Sequence, residues 1–310
     1  MKIFITKINE SWIIDRVKKE FIDYTAFKFC NFIQTADVIW IIAPWSFSIE
    51  KIKKHKNKKI IYSIYHIEDR NVNNSEIKEI LEVDKYIDYY HVISKETKKI
   101  LEQLTDKPIY YLPFWVNQNI WYFISDKAYL RKKYNFKSDD FLIGSFQRDT
   151  EGSDMKSPKL VKGPDIFINI VKEISSFRPN LKVVLTGTRR SYVIEELQKL
   201  NISYSYFEMA DYKITNELYN ILDLYLVTSR LEGGPQALVE CGQTKTPIIS
   251  SNVGIAEEIL SPESIFDIND LKTFKNASSN VDYAYEKSSL LKIPDGIEGY
   301  VKMFKEVYES

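Results

Sequence analysis

The sequence predicts an α/β protein of two domains, each built on a parallel sheet with helices wound on both sides. The chain has 310 residues, more than a single hydrophobic core usually serves. Short β-branched or aromatic runs alternate with helical patterns along its length, which is typical of parallel sheets. All ten glycines lie at or after Gly144, so the two halves also differ in composition.

The first half contains four short apolar runs that predict buried strands. They lie at 2–8, 37–45, 59–67 and 89–94. Helical patterns follow at 8–24 and 94–104, the second with Ser94 as its N-cap. This alternation predicts an N-terminal α/β domain over residues 1–120.

The second half alternates more regularly and predicts a doubly wound domain over residues 121–290. Its predicted strands lie at 140–146, 181–187, 202–208, 222–229 and 246–251. Its predicted helices begin at Pro164, at Ser191, near Ile214 and at Pro235. Residues 291–310 predict a closing amphipathic helix that could return to the first domain.

Composition excludes several classes of protein. No apolar run approaches the roughly 18 residues of a membrane span, and the first residues, MKIFITKINE, lack the pattern of a secretory signal. We therefore expect a cytoplasmic protein. Two distant cysteines and three histidines argue against structural zinc and a metal centre, so no metal and no other cofactor is expected.

Charge is balanced over the whole chain but not within its halves. Lysine and arginine number 43, as do aspartate and glutamate, yet residues 1–136 carry 23 basic and 17 acidic side chains. Six lysines fall within residues 51–59. This run could be a solvated surface, which we favour, or could place the protein peripherally at the inner face of an anionic membrane. Neutral total charge argues against nucleic acid as a partner.

The most informative segment is 229–259. A predicted strand ends at Ser229, Glu232 follows in a loop, and a Gly-Gly-Pro turn opens a helix that carries Glu240. Ligands bind beyond the carboxyl ends of strands in such sheets, and helix N-termini attract anions. The two glutamates, the second expected on the helix surface, could bind hydroxyls at opposite ends of a sugar nucleotide. For the glutamates alone, a turn with two solvated carboxylates would be the simpler interpretation.

The wider segment resembles the donor-binding signature of retaining GT-B glycosyltransferases, family 4, also called group 1 glycosyl transferases. The shared elements are two glutamates separated by seven residues, the Gly-Gly-Pro turn, Thr246-Pro247, Asn252-Val253-Gly254 and Glu257-Glu258. The resemblance implies a GT-B fold, with two Rossmann-like α/β domains facing a cleft. It implies that Glu232 contacts the transferred sugar and Glu240 the ribose. The further donor-binding residues it implies are Gly144, Ser229, Gly233, Gly234 and Pro235.

A second segment, 143–171, resembles the first strand and turn of the family's donor domain. In that family a basic residue and a Lys-Gly pair bind the diphosphate, roles that would fall here to Arg148 and to Lys162 with Gly163. Fixed cations suit the chemistry, because cleavage of the sugar–phosphate bond builds negative charge on the leaving group. The stretch 149–160 is longer than the usual connector, so Lys156 or Lys159 could share the role.

The first domain supplies the remaining candidates. His66 ends a predicted strand, where the resemblance implies a contact with the donor sugar; a bond to nearby backbone is the alternative. His91 is expected to pack between sheet and helix. The family's Gly-rich acceptor loop is replaced here by residues 7–12, in which Asn9, Glu10 and Trp12 are the candidate acceptor contacts.

The resemblance implies a metal-independent hexosyltransferase that moves a sugar from a nucleotide-sugar donor to a hydroxyl acceptor with retention of anomeric configuration. The acceptor could be a glycan, a lipid-linked molecule or a protein, in polysaccharide or glycoconjugate biosynthesis. Two alternatives stay open: a non-catalytic nucleotide-sugar-binding subunit, and a GT-B relative such as a sugar-nucleotide epimerase.

Overall fold

The computed structural model describes residues 1–6, 13–68 and 75–310. The chain divides into two compact units. Unit 1 comprises Met1–Trp115 and Leu291–Ser310, and unit 2 comprises Val116–Leu290. Each unit contains its own six-stranded parallel sheet, so the α/β fold class predicted from the sequence is confirmed.

Unit 1 is a parallel sheet with the strand order β2-β1-β3-β4-β5-β6. The strands are β1 (Lys2–Ile5), β2 (Lys28–Phe29), β3 (Val38–Ile41), β4 (Lys59–Ile64), β5 (Tyr89–Val92) and β6 (Ile109–Tyr111). The helices among them are α1 (Ile13–Asp23), α2 (Ile49–Lys53), α3 (Ser75–Asp84) and α4 (Lys95–Leu101). The four predicted strands are all present, and Ser94 caps α4 by accepting from the backbone N–H of Thr97 at 3.2 Å.

Unit 2 has the strand order β11-β10-β7-β12-β13-β14, and a separate antiparallel pair, β8 with β9. The strands are β7 (Phe141–Ser145), β8 (Thr150–Glu151), β9 (Ser157–Pro158), β10 (Leu181–Thr186), β11 (Ser203–Phe207), β12 (Leu224–Val227), β13 (Ile248–Ser251) and β14 (Ile265–Phe266). The helices are α5 (Lys127–Lys133), α6 (Pro164–Ser175), α7 (Ser191–Lys199), α8 (Tyr212–Ile221), α9 (Gln236–Thr244), α10 (Ala256–Ile259) and α11 (Val281–Ser289). The five predicted strands are confirmed.

The structure adds elements that the sequence did not predict. Strands β2, β6 and β14 are two or three residues long and lie at sheet edges, and β8 with β9 forms a hairpin inside the long connector. Runs this short contain too few positions for a periodic pattern to emerge. Their pairing partners, which lie far away in sequence, therefore define them.

The last helix, α12 (Asp295–Glu309), belongs to unit 1. Its apolar face is buried in the same core cluster as the strands of that unit. Phe304 packs its ring against Phe21 of α1, with centroids 5.2 Å apart, and against Trp40 of β3 at 5.5 Å. Aromatic side chains of this size supply most of a small core's apolar contact area, so α12 completes the core of unit 1.

His91 of β5 is fully buried beneath α12, as its sequence context predicted. Its Nδ1 lies 2.9 Å from the Oγ of Ser63, and its Nε2 lies 2.9 Å from the carbonyl oxygen of Leu112. The hydroxyl of Tyr300 on α12 also donates to that carbonyl at 2.8 Å. Burial lowers the pKa of His91 to about 4, because a charged imidazole would lose its hydration without gaining an anion.

We expect acid to destabilise the protein through His91. The unfolded chain binds a proton near pH 6.5 and the folded chain only near pH 4, so the free energy of unfolding falls as pH drops between these values. The contribution is about 1.4 kcal/mol per pH unit, roughly 3 kcal/mol in total. Urea unfolding of wild type and His91→Gln at several pH values measures it. Parallel pH profiles for the two proteins would contradict the assignment.

Candidate functional site

The order of strands in unit 2 selects one edge of the sheet as a ligand site. The chain runs outward from β7 to β10 and β11 on one side, then returns to β12 and continues to β13 and β14 on the other. Strands β7 and β12 are parallel neighbours at this reversal. Ligands bind at such switch points, beyond the carboxyl ends of the strands. The loops that follow β7 and β12 carry Arg148 and Glu232, two of the predicted site residues.

Lys162 and Glu232, which are seventy residues apart in sequence, form an ion pair at this edge. The ammonium group of Lys162 donates to Oε1 of Glu232, and the Oγ of Ser229 lies 3.0 Å from the same oxygen. Gln147, directly before Arg148, donates from Nε2 to the carbonyl oxygen of Lys162 at 2.9 Å. The structure therefore brings together Ser229, Glu232 and Lys162, and the sequence analysis missed Gln147, which joins them.

The Lys-Gly pair is held against the β12 loop by its backbone. Gly163 has φ of +60°, and a Cβ there would lie 1.7 Å from the carbonyl oxygen of Thr228. The hydroxyl of Thr228 donates back to the carbonyl oxygen of Gly163 at 2.8 Å. The N–H of Arg230 donates to the carbonyl oxygen of Val161 at 2.8 Å. Only glycine permits both the left-handed backbone and this close approach.

A second salt bridge, also missed from the sequence, clamps the same two segments. The guanidinium of Arg230 donates to both carboxylate oxygens of Asp165, at 2.8 and 2.6 Å, and to the carbonyl oxygen of Leu160 at 2.7 Å. Arg230 holds the pKa of Asp165 below its usual value. A bidentate pair of this kind fixes relative position as well as charge. Asp165 is the fourth residue of the Lys-Gly-Pro-Asp run, the one local signal that could have identified it.

Two further cations stand beside Lys162. Arg148 is exposed, and its Nε donates to the carbonyl oxygen of Thr150 at 3.0 Å. Lys159 is partly buried, and its pKa is lowered by burial and by the charges of Arg148 and Lys162. The backbone N–H of Lys159 donates to the carbonyl oxygen of Asp149 at 2.8 Å, and the N–H of Lys162 donates to that of Lys159 at 2.8 Å, so the three basic residues lie on adjoining backbone. Lys156, by contrast, is exposed on the β8–β9 hairpin.

A buried ion pair supports the backbone on either side of Arg148. The Nε of Arg190 lies 2.7 Å from Oδ2 of Asp149, and both side chains are almost fully buried. The contact lacks hydrogen-bond geometry, so it is an ionic contact rather than an aligned hydrogen bond. Arg190 also donates to the carbonyl oxygen of Gln147. Burial raises the pKa of Asp149 and lowers that of Arg190.

Glu240 is buried, and the expectation that it lies on the helix surface is wrong. The residue as a whole is 8% exposed. Its Oε2 accepts a hydrogen bond from the hydroxyl of Tyr219 on α8 at 2.9 Å. Helix α9 is buried at every position from Leu238 to Thr244, so it is covered on all sides there. Its contact with ribose stays a prediction.

The glycine-rich loop before α9 is backed by a later loop. Gly254 has φ of +58°, and a Cβ there would lie 2.7 Å from the carbonyl oxygen of Gly233. Pro235 occupies the N-cap position of α9, one residue before the helix begins at Gln236. The loop containing Gly233 and Gly234 therefore leads directly to a helix N-terminus, where backbone N–H groups favour an anion.

Gly144 lies inside β7, within the predicted strand 140–146. A Cβ at this position would lie 2.2 Å from Cδ1 of Leu222 and 3.1 Å from the ring of Tyr225. Packing within unit 2 thus accounts for the glycine, and its contact with a donor stays a prediction.

Unit 1 contains the remaining candidate site residues, and only some of them lie within the described residues. His66 follows β4, its side chain is 41% exposed, and its Nε2 lies 3.8 Å from Oε1 of Glu68. Its contact with a donor sugar stays a prediction. Asn9, Glu10 and Trp12, the candidate acceptor contacts, lie outside the described residues. In the lysine run, Lys51, Lys54 and Lys56 are exposed.

The described parts of the chain contain neither a metal-binding cluster nor a membrane-spanning helix. Residues 1–6, 13–68 and 75–310 contain no group of three or more His, Cys, Asp or Glu side chains that could hold a metal ion. Within the same ranges, no helix has the length and apolar character that crossing a membrane requires.

Residues 155–281 match the sequence model of the family described as glycosyl transferases, group 1. No curated protein matches the chain in sequence. Several solved structures match its fold. HepE of Anabaena in complex with UDP and glucose is 11% identical with a TM-score of 0.74, and the match covers 100% of both chains. Sucrose-phosphate synthase of Thermosynechococcus elongatus is 14% identical with a TM-score of 0.73, covering 98% of this chain and 81% of that one.

A third similar structure is the pneumococcal O-GlcNAc transferase GtfA in complex with UDP and GlcNAc. It is 14% identical with a TM-score of 0.65, and the match covers 88% of this chain and 57% of that one. At identities this low the likenesses show the fold, which is GT-B. The fold predicted from the sequence is therefore confirmed.

Burial of Glu240 predicts that its removal costs stability. In Glu240→Ala the buried hydroxyl of Tyr219 loses an acceptor, so we expect the free energy of unfolding to fall by about 1–3 kcal/mol. Tyr219→Phe removes the donor instead. A double-mutant cycle by urea unfolding measures the coupling between the two side chains. Additive effects of the two substitutions would show that the hydrogen bond contributes nothing.

Proposed function

We infer that this chain, a group 1 glycosyltransferase with the GT-B fold, transfers a sugar from a nucleotide-sugar donor bound by unit 2 to a hydroxyl acceptor. We further propose that transfer retains the anomeric configuration and needs no metal ion. One observation carries the proposal: Lys162 is paired with Glu232 at the switch point of the unit 2 sheet, and Arg148 and Lys159 lie on the connector that leads to Lys162.

The fold relatives indicate which donors to try first. HepE of Anabaena has been solved with UDP and glucose and with UDP-glucose, and the pneumococcal GtfA with UDP and GlcNAc. Uridine diphosphate sugars are therefore our first proposal for this chain. The acceptor class, the cytoplasmic location and the membrane contact stay as predicted from the sequence.

The proposed cation site suits the charge that the reaction develops. As the bond between the sugar C1 and the β-phosphate oxygen breaks, negative charge accumulates on the departing diphosphate. Arg148 and Lys162 would stabilise it from fixed positions, which is the work a divalent ion does in other transferases. Both lie on loops whose backbone is held in place, after β7 and before α6, so donor binding would need to rearrange side chains only.

The proposed bond changes need no nucleophile from the protein. The acceptor oxygen forms a bond to C1 on the face from which the diphosphate leaves, and the C1–oxygen bond to the phosphate breaks. The acceptor proton passes to the departing phosphate oxygen, so charge and atoms balance. Attack on that same face preserves the configuration at C1.

Glu232 would act at the sugar end of the donor. Its carboxylate is part-buried and already accepts from Lys162 and Ser229. A sugar hydroxyl could take the place of one of these donors, while the negative charge favours a ring that becomes cationic as the phosphate leaves. Donor binding would then exchange the Lys162–Glu232 ion pair for contacts of both residues with the substrate.

The test is turnover with UDP-, GDP- and ADP-sugars, chosen first by thermal shift, with wild type and Glu232→Gln. Glutamine preserves size and the contact with Ser229 but removes the charge. We expect turnover to fall about a hundredfold or more, the usual cost of one preorganised electrostatic contact. Affinity for the bare nucleoside diphosphate should stay equal or rise, because Lys162 loses its competing anion.

Two results would contradict this proposal. Stabilisation of wild type by a nucleotide sugar without any transfer or hydrolysis would favour a non-catalytic binding subunit. Loss of affinity for the bare nucleoside diphosphate in Glu232→Gln, as large as the loss of turnover, would place Glu232 in the nucleotide pocket instead.

We also expect turnover to persist in excess EDTA, because Arg148 and Lys162 are proposed to neutralise the leaving diphosphate. The measurement compares initial rates with EDTA, without additions, and with Mg²⁺ or Mn²⁺, using a metal-dependent transferase as the control for chelation. Abolition by EDTA followed by rescue with either ion would overturn metal independence while leaving the transfer itself intact.

A further inference from the structure

The connector between β7 and α6 is a built hairpin. Strands β8 and β9 pair antiparallel, with Thr150 opposite Pro158 and Glu151 opposite Ser157. At the turn, Oδ1 of Asp154 accepts from the backbone N–H of Lys156 at 3.0 Å, and its Oδ2 accepts from the hydroxyl of Ser157 at 3.0 Å. These bonds lower the pKa of Asp154. A loop serving only to span the distance would not need such an ordered turn.

The pairing of the hairpin places Lys159 opposite Asp149, the residue that follows Arg148. The register continues one residue past the strands, because the N–H of Lys159 donates to the carbonyl oxygen of Asp149 at 2.8 Å. Arg148 precedes Asp149 on the opposite arm. A single 3₁₀ turn then leads to Lys162, whose N–H donates to the carbonyl oxygen of Lys159 at 2.8 Å. The backbone bonds thus hold the positions of Arg148, Lys159 and Lys162 close together.

The base of the hairpin is anchored to the sheet. Asp149 forms the buried ionic contact with Arg190, and the carbonyl oxygen of Arg189 accepts from the N–H groups of Asp149 and Thr150 at 3.2 and 3.0 Å. The backbone that carries Arg148 and Lys159 is therefore attached to the loop before α7. This anchored backbone, rather than a partner carboxylate, keeps the two cations near each other.

The local charge balance leaves a need for anions. Lys162 is paired with Glu232, whereas Lys159 is partly buried, and burial together with the charges of Arg148 and Lys162 lowers its pKa. Glu151 and Glu232 raise the pKa of Lys159, but by less than Arg148 and Lys162 lower it. Arg148 and Lys159 together thus leave a surplus of positive charge near the Lys162–Glu232 pair. A diphosphate, with a negative charge on each phosphate, complements it.

We propose that Lys159 is a third cation of the donor site and that the hairpin 149–159 exists to deliver it to the diphosphate. The proposal rests on the proposed function, because it assumes a nucleoside diphosphate at the switch point. Arg148 and Lys159 engage the phosphates, and Lys162, once released from Glu232, completes the set. The ligand class is a nucleoside diphosphate or its sugar ester.

The experiment measures binding of UDP, GDP and ADP, and of the corresponding nucleosides, by calorimetry. Lys159→Gln should weaken the tightest-binding diphosphate about tenfold, the scale of one charge-assisted contact, and leave its nucleoside unchanged. Lys159→Arg should retain most of the affinity. Lys156→Gln, on the exposed part of the same hairpin, is the matched control and should bind like wild type.

A pH series gives a second measurement that does not depend on the glutamine variant folding. Above pH 7.5 the diphosphate is fully ionised, and the lowered pKa of Lys159 means that this side chain loses its proton earlier than an ordinary lysine. Affinity of wild type should therefore fall with rising pH more steeply than that of Lys159→Arg, since arginine stays charged. The groups facing Lys159, namely Arg148, Lys162, Glu151 and Glu232, are common to both proteins.

The outcomes separate the two proposals. Failure of wild type to bind UDP, GDP or ADP would overturn the proposed function and this inference together. Binding by wild type with equal affinity in Lys159→Gln would overturn only the role of Lys159. Equal losses in Lys159→Gln and Lys156→Gln would show a diffuse effect of charge, which also contradicts a specific contact. Parallel pH profiles of wild type and Lys159→Arg would do the same.

Discussion

The candidate site depends on one close backbone contact, that of Gly163 with Thr228. It brings the segment before α6 against the end of β12, so that Lys162 meets Glu232 across seventy residues of chain. No side chain fits between the two backbones at this point. Arg230 reinforces the contact through Val161, Leu160 and Asp165, and each of these bonds would be lost if the segments separated. The geometry of the cation site follows from this junction.

Electrostatics then determines what the junction can bind. Burying an ion pair rarely adds stability, because both charges lose their hydration, but it does hold its members in one position. The Asp149–Arg190 contact has this character and anchors the loop that carries Arg148. The connector that follows also carries Arg148 and Lys159, whose positive charges the neighbouring carboxylates do not fully balance. The buried charges of unit 2 thus hold the backbone in position, and its accessible charges can bind a ligand, as preorganised sites require.

Much of the fold could be predicted because its signals are local. The runs that became β4, β10 and β12 are short, apolar and rich in β-branched, aromatic or leucine side chains. The position of Pro235 before α9 likewise marks a helix start from a few neighbouring residues. Lys162, Glu232 and Arg148 were predicted because the segments that carry them resemble the donor-binding segments of group 1 glycosyl transferases. Edge strands such as β2 and β14 escaped prediction, because a two-residue strand is defined only by the strand it pairs with.

The sequence by itself determined the order of strands and helices along the chain, since backbone preference and apolar periodicity act over a few residues. Only the tertiary structure decided that Glu240 is buried against Tyr219, that Lys162 is paired with Glu232, and that the connector 149–159 folds back to pair Lys159 with Asp149. Burial and pairing depend on partners that are distant in sequence. A local pattern contains no information about the side chains that will cover it.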